Sequence, residues 1–393
     1  MKSLHDLHLA NKAKMGIFNN YLLPAEYHEP SVEYRAVREN ALLVDYSHMS
    51  IVSVMGDDAW ALVNHLASAD VSIIRDEQGL YSLVLNEDGT IKGDIYILCT
   101  PDGYYILSEN IAASDMISSL HNLLLRAEEL EIAELPAIKS MTEEAWGALM
   151  VEGPYSWELL AEVYGFDIIG LPYHEYINQD GELILFRCGK HGEFAYLLVG
   201  PQPELVDTWS MLIEKGEKYQ LKTGGLDYQR TVRIENMCWD ENIYADFSRH
   251  PAELQLQWAV QYDKEGFIGK EAAVERSHNP AKRKIVGICP LTDSTGIAPN
   301  DKVLVDDKQV GVIVKAAWSP ALEASIALAL LEDDYAWSDI SGFTIETATA
   351  KIPAKTQTLP FLYNLSLLVN PTEHSYIDDT TRLIVRNASF PRV

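Results

Sequence analysis

The segment from Leu80 to Ser108 constrains the fold most. An apolar run, Leu80-Tyr81-Ser82-Leu83-Val84-Leu85, meets a polar link, Asn86-Glu87-Asp88-Gly89, and returns as Thr90-Ile91-Lys92-Gly93-Asp94-Ile95-Tyr96-Ile97. A short turn ending in glycine between two β-rich runs predicts an antiparallel hairpin. A two-residue period then puts Ile91, Ile95, Ile97 and Cys99 on one face and Thr90, Lys92, Asp94 and Tyr96 on the other. Asp94 therefore faces water or a ligand. Gly93 beside it marks a bulge or a place where another group approaches the backbone closely.

Other stretches extend the pattern. Asp57 and Asp58 are placed to cap a helix carrying Trp60, Val63 and Leu66 inward, and Ile111 to Leu125 repeats apolar residues at helical spacing. Leu183–Phe186 and Tyr196–Val199 form a second hairpin across Gly189 to Gly192. No βαβ period repeats, so the class is α+β rather than doubly wound. Turn residues cluster at Ser277-His278-Asn279-Pro280-Ala281, and short strand patterns follow from Lys284 to about Ala348. This predicts a small separate β-domain, with 365–393 as an appended strand pair or interface arm.

At 393 residues the chain is long enough for two or three cores. A hydrophobic share of 47% and a charged share of 23% belong to a soluble globular protein. With no apolar run of membrane length and no apolar leader, a cytoplasmic location is expected. The net charge of −27 repels polyanions, which argues against nucleic acid and acidic membranes as partners. The sole short basic cluster, Lys282-Arg283-Lys284, reads as the start of a strand. Cys99, Cys188, Cys238 and Cys289 lack metal-ligand spacing, so buried thiols are expected and no metal.

In order along the chain, Leu4-His5-Asp6-Leu7-His8, Asp45-Tyr46-Ser47-His48-Met49, Tyr81 to Asp94, Gly153-Pro154, Thr231-Val232-Arg233-Ile234-Glu235, Trp258-Ala259-Val260, Phe267 to Ala272 and Ser319-Pro320 resemble the aminomethyltransferase family. That family comprises the glycine-cleavage T-protein and folate-dependent demethylases. The resemblance runs from residue 4 to about 363. It implies a three-domain cloverleaf around a central folate cavity, with residues 1–280 as the folate-binding region, 51–150 inserted within it, and 281–364 as a small barrel-like C-terminal domain.

It also implies tetrahydrofolate as cofactor and Asp94 as the catalytic carboxylate, placed to stabilise positive charge or handle a proton. Tyr81, Met49, Asn110, Arg233 and Trp258 become cofactor-lining positions. For each a plainer reading stands beside this one: a core tyrosine, a core methionine, a helix cap at Asn110, an ion pair between Arg233 and Glu235, a core tryptophan. His48 and His174 are candidates on the substrate side.

Two departures bear on function. Where the family carries a glutamate that grips the pterin, the segment Arg187 to Leu198 places Leu197. Loss of such an acceptor costs roughly 1.5–3 kcal/mol, unless Glu193 substitutes through a register shift. Gln229 stands where the family has an arginine. The reading is a one-carbon transferase, demethylase-like, moving a methyl or aminomethyl group from a small-molecule donor to tetrahydrofolate. Glycine-cleavage aminomethyltransfer and a non-catalytic folate-binding or regulatory protein remain open. A lipoyl carrier protein is disfavoured as partner by the net charge.

Overall fold

The computed structural model describes residues 3–179, 181–292 and 296–383. Two large sheets and a barrel organise them, with a two-stranded ribbon of Lys14–Phe18 and Tyr21–Glu26 beside them. The first sheet has six strands in the order Tyr176–Asn178, Ile184–Arg187, Ala195–Pro201, Trp146–Glu152, Leu42–Asp45 and Lys222–Gly224. The second has five, in the order Gly79–Leu85, Ile91–Thr100, Gly103–Ser108, Ser50–Met55 and Ala137–Ser140. The two pack face to face: Tyr96, Leu98 and Ile51 of the second share a core with Phe186, Leu197 and Met150 of the first.

Helices cover the outer faces. Ser156–Tyr164 and Gln202–Gly216 bury Leu149, Val151, Tyr196 and Leu198 on the first sheet, and Ala59–Leu66 and Ala113–Leu124 cover the second. Both faces of each sheet are therefore buried. This explains the near-continuous apolar runs in strands such as Ala195–Pro201, whose residues alternate between the two cores.

Strands Arg283–Pro290, Lys302–Val305, Lys308–Ser319, Ala324–Glu332, Ser341–Glu346 and Lys351–Gln357 close a barrel. The sixth strand carries Pro353, and it completes the ring by pairing with both its hairpin partner and the first strand. Closure removes the exposed sheet edges. Among the described residues no helix is long and apolar enough to cross a membrane.

The hairpin forms as its turn chemistry predicts, with Leu83 opposite Asp94, and it carries a bulge where Val84 faces Gly93 and Leu85 faces Ile91. The bulge changes the alternation. Ile91 joins Leu83 and Leu85 in the core against the barrel, away from Ile95 and Ile97, while Lys92 reaches Ser119 on the opposite side. One extra residue reverses the parity of everything before it.

Three other expectations shift. Trp60 is 45% exposed, because the buried stripe of its helix runs through Ala59, Leu62, Val63 and Leu66. Asp58 does occupy the N-cap position, yet its carboxylate accepts from the amides of Ala133 and Glu134 instead of capping its own helix. In the tail, residues 365–383 form no strand; Leu365, Val369 and Tyr376 pack onto the first sheet's helical side. Residues 384–393 lie outside the described residues.

Candidate active site

The bulged hairpin carries Asp94 into the interior, where it is 1% exposed. Three donors converge on its carboxylate. The Asn110 side-chain amide donates to Oδ1 at 2.6 Å, the Tyr81 hydroxyl donates to Oδ2 at 3.0 Å, and the Lys190 ammonium lies 2.5 Å from Oδ2. Burial, then the charge of Asp94, push the Tyr81 phenol well above its ordinary pKa, so it stays protonated and donating.

Asn110 is held in place by its neighbours. The Ser108 hydroxyl donates to the Asp94 carbonyl at 2.8 Å and accepts from the amides of Asn110 and Ile111. Gly93 makes this approach possible, since a Cβ there would lie 2.5 Å from Ile111 Cγ1. Asn110 is not a helix cap: the cap position is Ala112, and the amide is committed to Asp94.

Lys190 comes from the other sheet, in the turn Gly189-Lys190-His191-Gly192. Its ammonium sits 6.0 Å from the Tyr81 ring centroid, 5.8 Å from that of Tyr96 and 3.5 Å from Glu109 Oε1. Burial opposes its charge, but Asp94 and Glu109 outweigh that cost and hold it protonated. A lysine between two glycines reads in sequence as a solvated turn, so nothing there signals this position. Gly192 adopts φ +83, with Asn364 and Asn236 packed where a side chain would stand.

Beyond Lys190 the charges continue as a chain. Arg233, at the heart of the helix Gln229–Asn236, pairs with Glu109, reaches Asp240 at 2.7 Å and donates through Nε to His191 Nε2 at 3.3 Å. His191 Nδ1 lies 3.0 Å from both oxygens of Glu152, which also accepts from the Tyr228 hydroxyl at 2.8 Å. Burial would raise the Glu109 carboxyl, yet Arg233, Lys190 and His48 hold it well below the ordinary range. Arg233 and Glu235 do not pair with each other. Glu235 serves Arg38, Tyr34 and Ser319 on the opposite side of the helix.

Two cavities are lined by partners of the Asp94–Lys190 pair, though not by the pair itself. One, of about 1100 Å³, is lined by Glu109, Asn110, His48, Gln229, Arg233 and Asp240 among others. The second, of about 350 Å³, is lined by Tyr81, His174 and Trp258. The Trp258 ring stacks on Tyr81 at 5.7 Å and is 68% exposed, so it is a cavity wall and not a core residue. His174 lines the same cavity with Nε2 unpartnered, and burial lowers its pKa to about 4.

The remaining candidates lie elsewhere. Met49 is 2% exposed within the core between the sheets and lines neither cavity. Glu193, expected as a substitute acceptor, is engaged by Arg38 at 3.2 Å and by the Ser366 hydroxyl at 2.6 Å, where its carboxylate faces a buried guanidinium. Leu197 is 1% exposed among apolar neighbours and offers no acceptor. Gln229 donates to the Tyr46 hydroxyl, while Arg230 turns outward onto Asp227. The Asp94 carboxylate itself does not open onto an empty hole, as the resemblance implies, because the Lys190 ammonium stands against it.

Residues 4–264 match the family model described as the GCVT N-terminal domain, and residues 283–362 match that of the glycine cleavage T-protein C-terminal barrel domain. An aminomethyltransferase of Bacillus pumilus (strain SAFR-032) is 30% identical over 359 residues, which is 89% of this chain and 94% of the relative. One from Chlorobaculum tepidum is 30% identical over 364 residues, 91% of this chain and 96% of its own. Among solved structures, the glycine cleavage system aminomethyltransferase T from Bartonella henselae aligns with a TM-score of 0.75 at 21% identity, covering 92% of this chain and 97% of that one.

Proposed function

Given that the chain belongs to the glycine cleavage T-protein family of aminomethyltransferases, we propose that it is a one-carbon transferase that passes an aminomethyl-derived unit to tetrahydrofolate, with Asp94 at the reacting centre. The observation that carries this reading is the convergence of the Tyr81 hydroxyl and the Asn110 amide on one buried carboxylate beside an aromatic wall.

The donor set suits the cofactor. A cationic nitrogen already rests against Asp94 in the form of the Lys190 ammonium, with two tyrosine rings around it. Were tetrahydrofolate bound, the same seat would accept an N–H or a positively charged nitrogen of its pterin, and the stacked Tyr81 and Trp258 rings would form an aromatic wall beside it. Tetrahydrofolate supplies the nucleophilic nitrogens that take up the one-carbon unit.

The chain's own residues do the rest. Tyr81 and Asn110 orient Asp94 so that its charge is aimed before the reaction begins, and that charge favours positive charge as it develops at the seat. The buried surroundings strengthen the effect by excluding water. Arg233 holds Glu109 and Asp240 in register along the wall of the larger cavity, where the donor enters.

A second reading, in which a free small molecule supplies a methyl group, draws support from the charge of −27. A like-charged carrier protein would be repelled, whereas a small donor needs only the cavity. The folate product separates the two. Incubation with tetrahydrofolate and each donor class, followed by chromatography of the folates, gives 5,10-methylene-tetrahydrofolate for aminomethyl transfer and 5-methyl-tetrahydrofolate for methyl transfer. Neither product with any donor would overturn the assignment.

A further inference from the structure

We infer that Lys190 is a resident occupant of the cation seat on Asp94, and that a ligand nitrogen binds by displacing its ammonium toward Glu109. The inference rests on the folate reading above and adds to it a residue that governs which ligands the seat admits.

The geometry supplies both ends of the movement. The ammonium is 2.5 Å from Asp94 Oδ2 and 3.5 Å from Glu109 Oε1, so one flexible side chain already reaches both carboxylates and needs only a short shift to rest on the second. Among the described residues no other cation pairs with Asp94. Glu109 is already held by Arg233 and lies 3.6 Å from His48 Nε2, so it offers a built anchor. A lysine moving to Glu109 keeps a charge partner throughout, which avoids the large cost of an unpaired buried charge. The four-carbon stem allows this; an arginine's rigid fork would not.

The vacated seat sets a chemical condition. Asp94 keeps the Tyr81 and Asn110 donors, but it lacks a cation until the ligand brings an N–H or a positive charge. A ligand without such a group gains nothing from displacing the lysine. Lys190 thus acts as a specificity-determining residue that competes with every ligand and rejects those that cannot replace it.

The test uses the full-length protein with tetrahydrofolate as probe. Titrations followed by tryptophan fluorescence compare the native chain with Lys190→Met, which keeps the stem and removes the charge, and with Lys190→Gln, which still donates to Asp94 should the methionine variant fold poorly. Removing the competitor is expected to tighten tetrahydrofolate binding about tenfold or more, the scale of a lost charge-assisted hydrogen bond. Equal or weaker binding by a folded variant would overturn the inference.

If neither form binds tetrahydrofolate, the folate reading fails, and acetylation by acetic anhydride with peptide mass spectrometry decides the seat by itself. Lys190 labelled at least tenfold more slowly than Lys14, which is 70% exposed, and released in Asp94→Asn, supports it. Labelling of Lys190 at the rate of Lys14 refutes it, whatever the folate result.

Discussion

Replacing Asp94 by asparagine removes one negative charge from a carboxylate that is 1% exposed and changes almost nothing in shape. The amide oxygen still accepts from Tyr81, while its NH2 meets the Asn110 side chain, which keeps a hydrogen bond by turning its own oxygen inward. What disappears is the field. A unit positive charge about 4 Å from a carboxylate at an effective dielectric near 20 gains on the order of 4 kcal/mol. Lys190, at 2.5 Å, holds the same seat before the ligand arrives and has moved off at saturating tetrahydrofolate, so it does not enter the comparison of bound states. A loss of about 3–4 kcal/mol follows, which corresponds to a fall in kcat of roughly 10²–10³, the scale of a removed preorganised electrostatic group. Stability should fall too. The buried ammonium keeps only Glu109 as a charged partner, at 3.5 Å, and loss of one partner of a buried pair costs at most about 3–5 kcal/mol. The assay is single-turnover formation of one-carbon folate at saturating tetrahydrofolate, with circular dichroism to show that the variant is folded. Turnover within about threefold of the native rate would show that the carboxylate does not stabilise the reaction, and the electrostatic argument would be wrong.

His174 and Gly93 give independent checks. His174 has its pKa lowered from 6.5 to about 4 by burial, so the unfolded chain takes up the proton first as pH falls. Its contribution is present above pH 6.5 and is lost between 6.5 and about 4, an acid destabilisation of about 2–3 kcal/mol; His174→Asn, which tolerates the positive φ of 66 at this position, should flatten urea midpoints across that range. An unchanged acid slope would remove His174 from the account. In Gly93→Ala the new methyl would meet Ile111 Cγ1 at 2.5 Å and the Asn110 Cβ at 3.5 Å. Overpacking of about 1–3 kcal/mol should lower the urea midpoint and weaken tetrahydrofolate binding together through Asn110, and a variant as stable and as tight-binding as the native chain would contradict the close approach described here.

Much of the fold was readable from local chemistry. Alternation and turn residues place both hairpins, and the helix Ala113–Leu124 buries the Met116, Leu120 and Leu123 that its spacing selects. Asp94 was legible as a strand carboxylate beside a glycine, and Tyr81 and Asn110 through the family pattern; the structure brings all three within hydrogen-bonding distance. Lys190, Glu109 and His191 were not. They lie in loops whose composition predicts solvent, and their partners are distant in sequence: Lys190 reaches back to Asp94, and Arg233 to Glu109. Glu193 and Met49 show the same limit, since the sequence does not reveal that the first faces Arg38 and the second the core between the sheets.

The amino-acid order alone therefore determined where both hairpins and the helix Ala113–Leu124 form, and that a carboxylate stands beside a glycine on the second strand, because those are consequences of short-range sterics and of a period of two or 3.6 residues; it did not show the bulge that moves Ile91 to the other face. Only the packed chain decided which charges share the interior. Burying a cation requires a counter-charge within a few ångströms, and the residue that satisfies Asp94 arrives from the opposite sheet, by a route that no local pattern encodes.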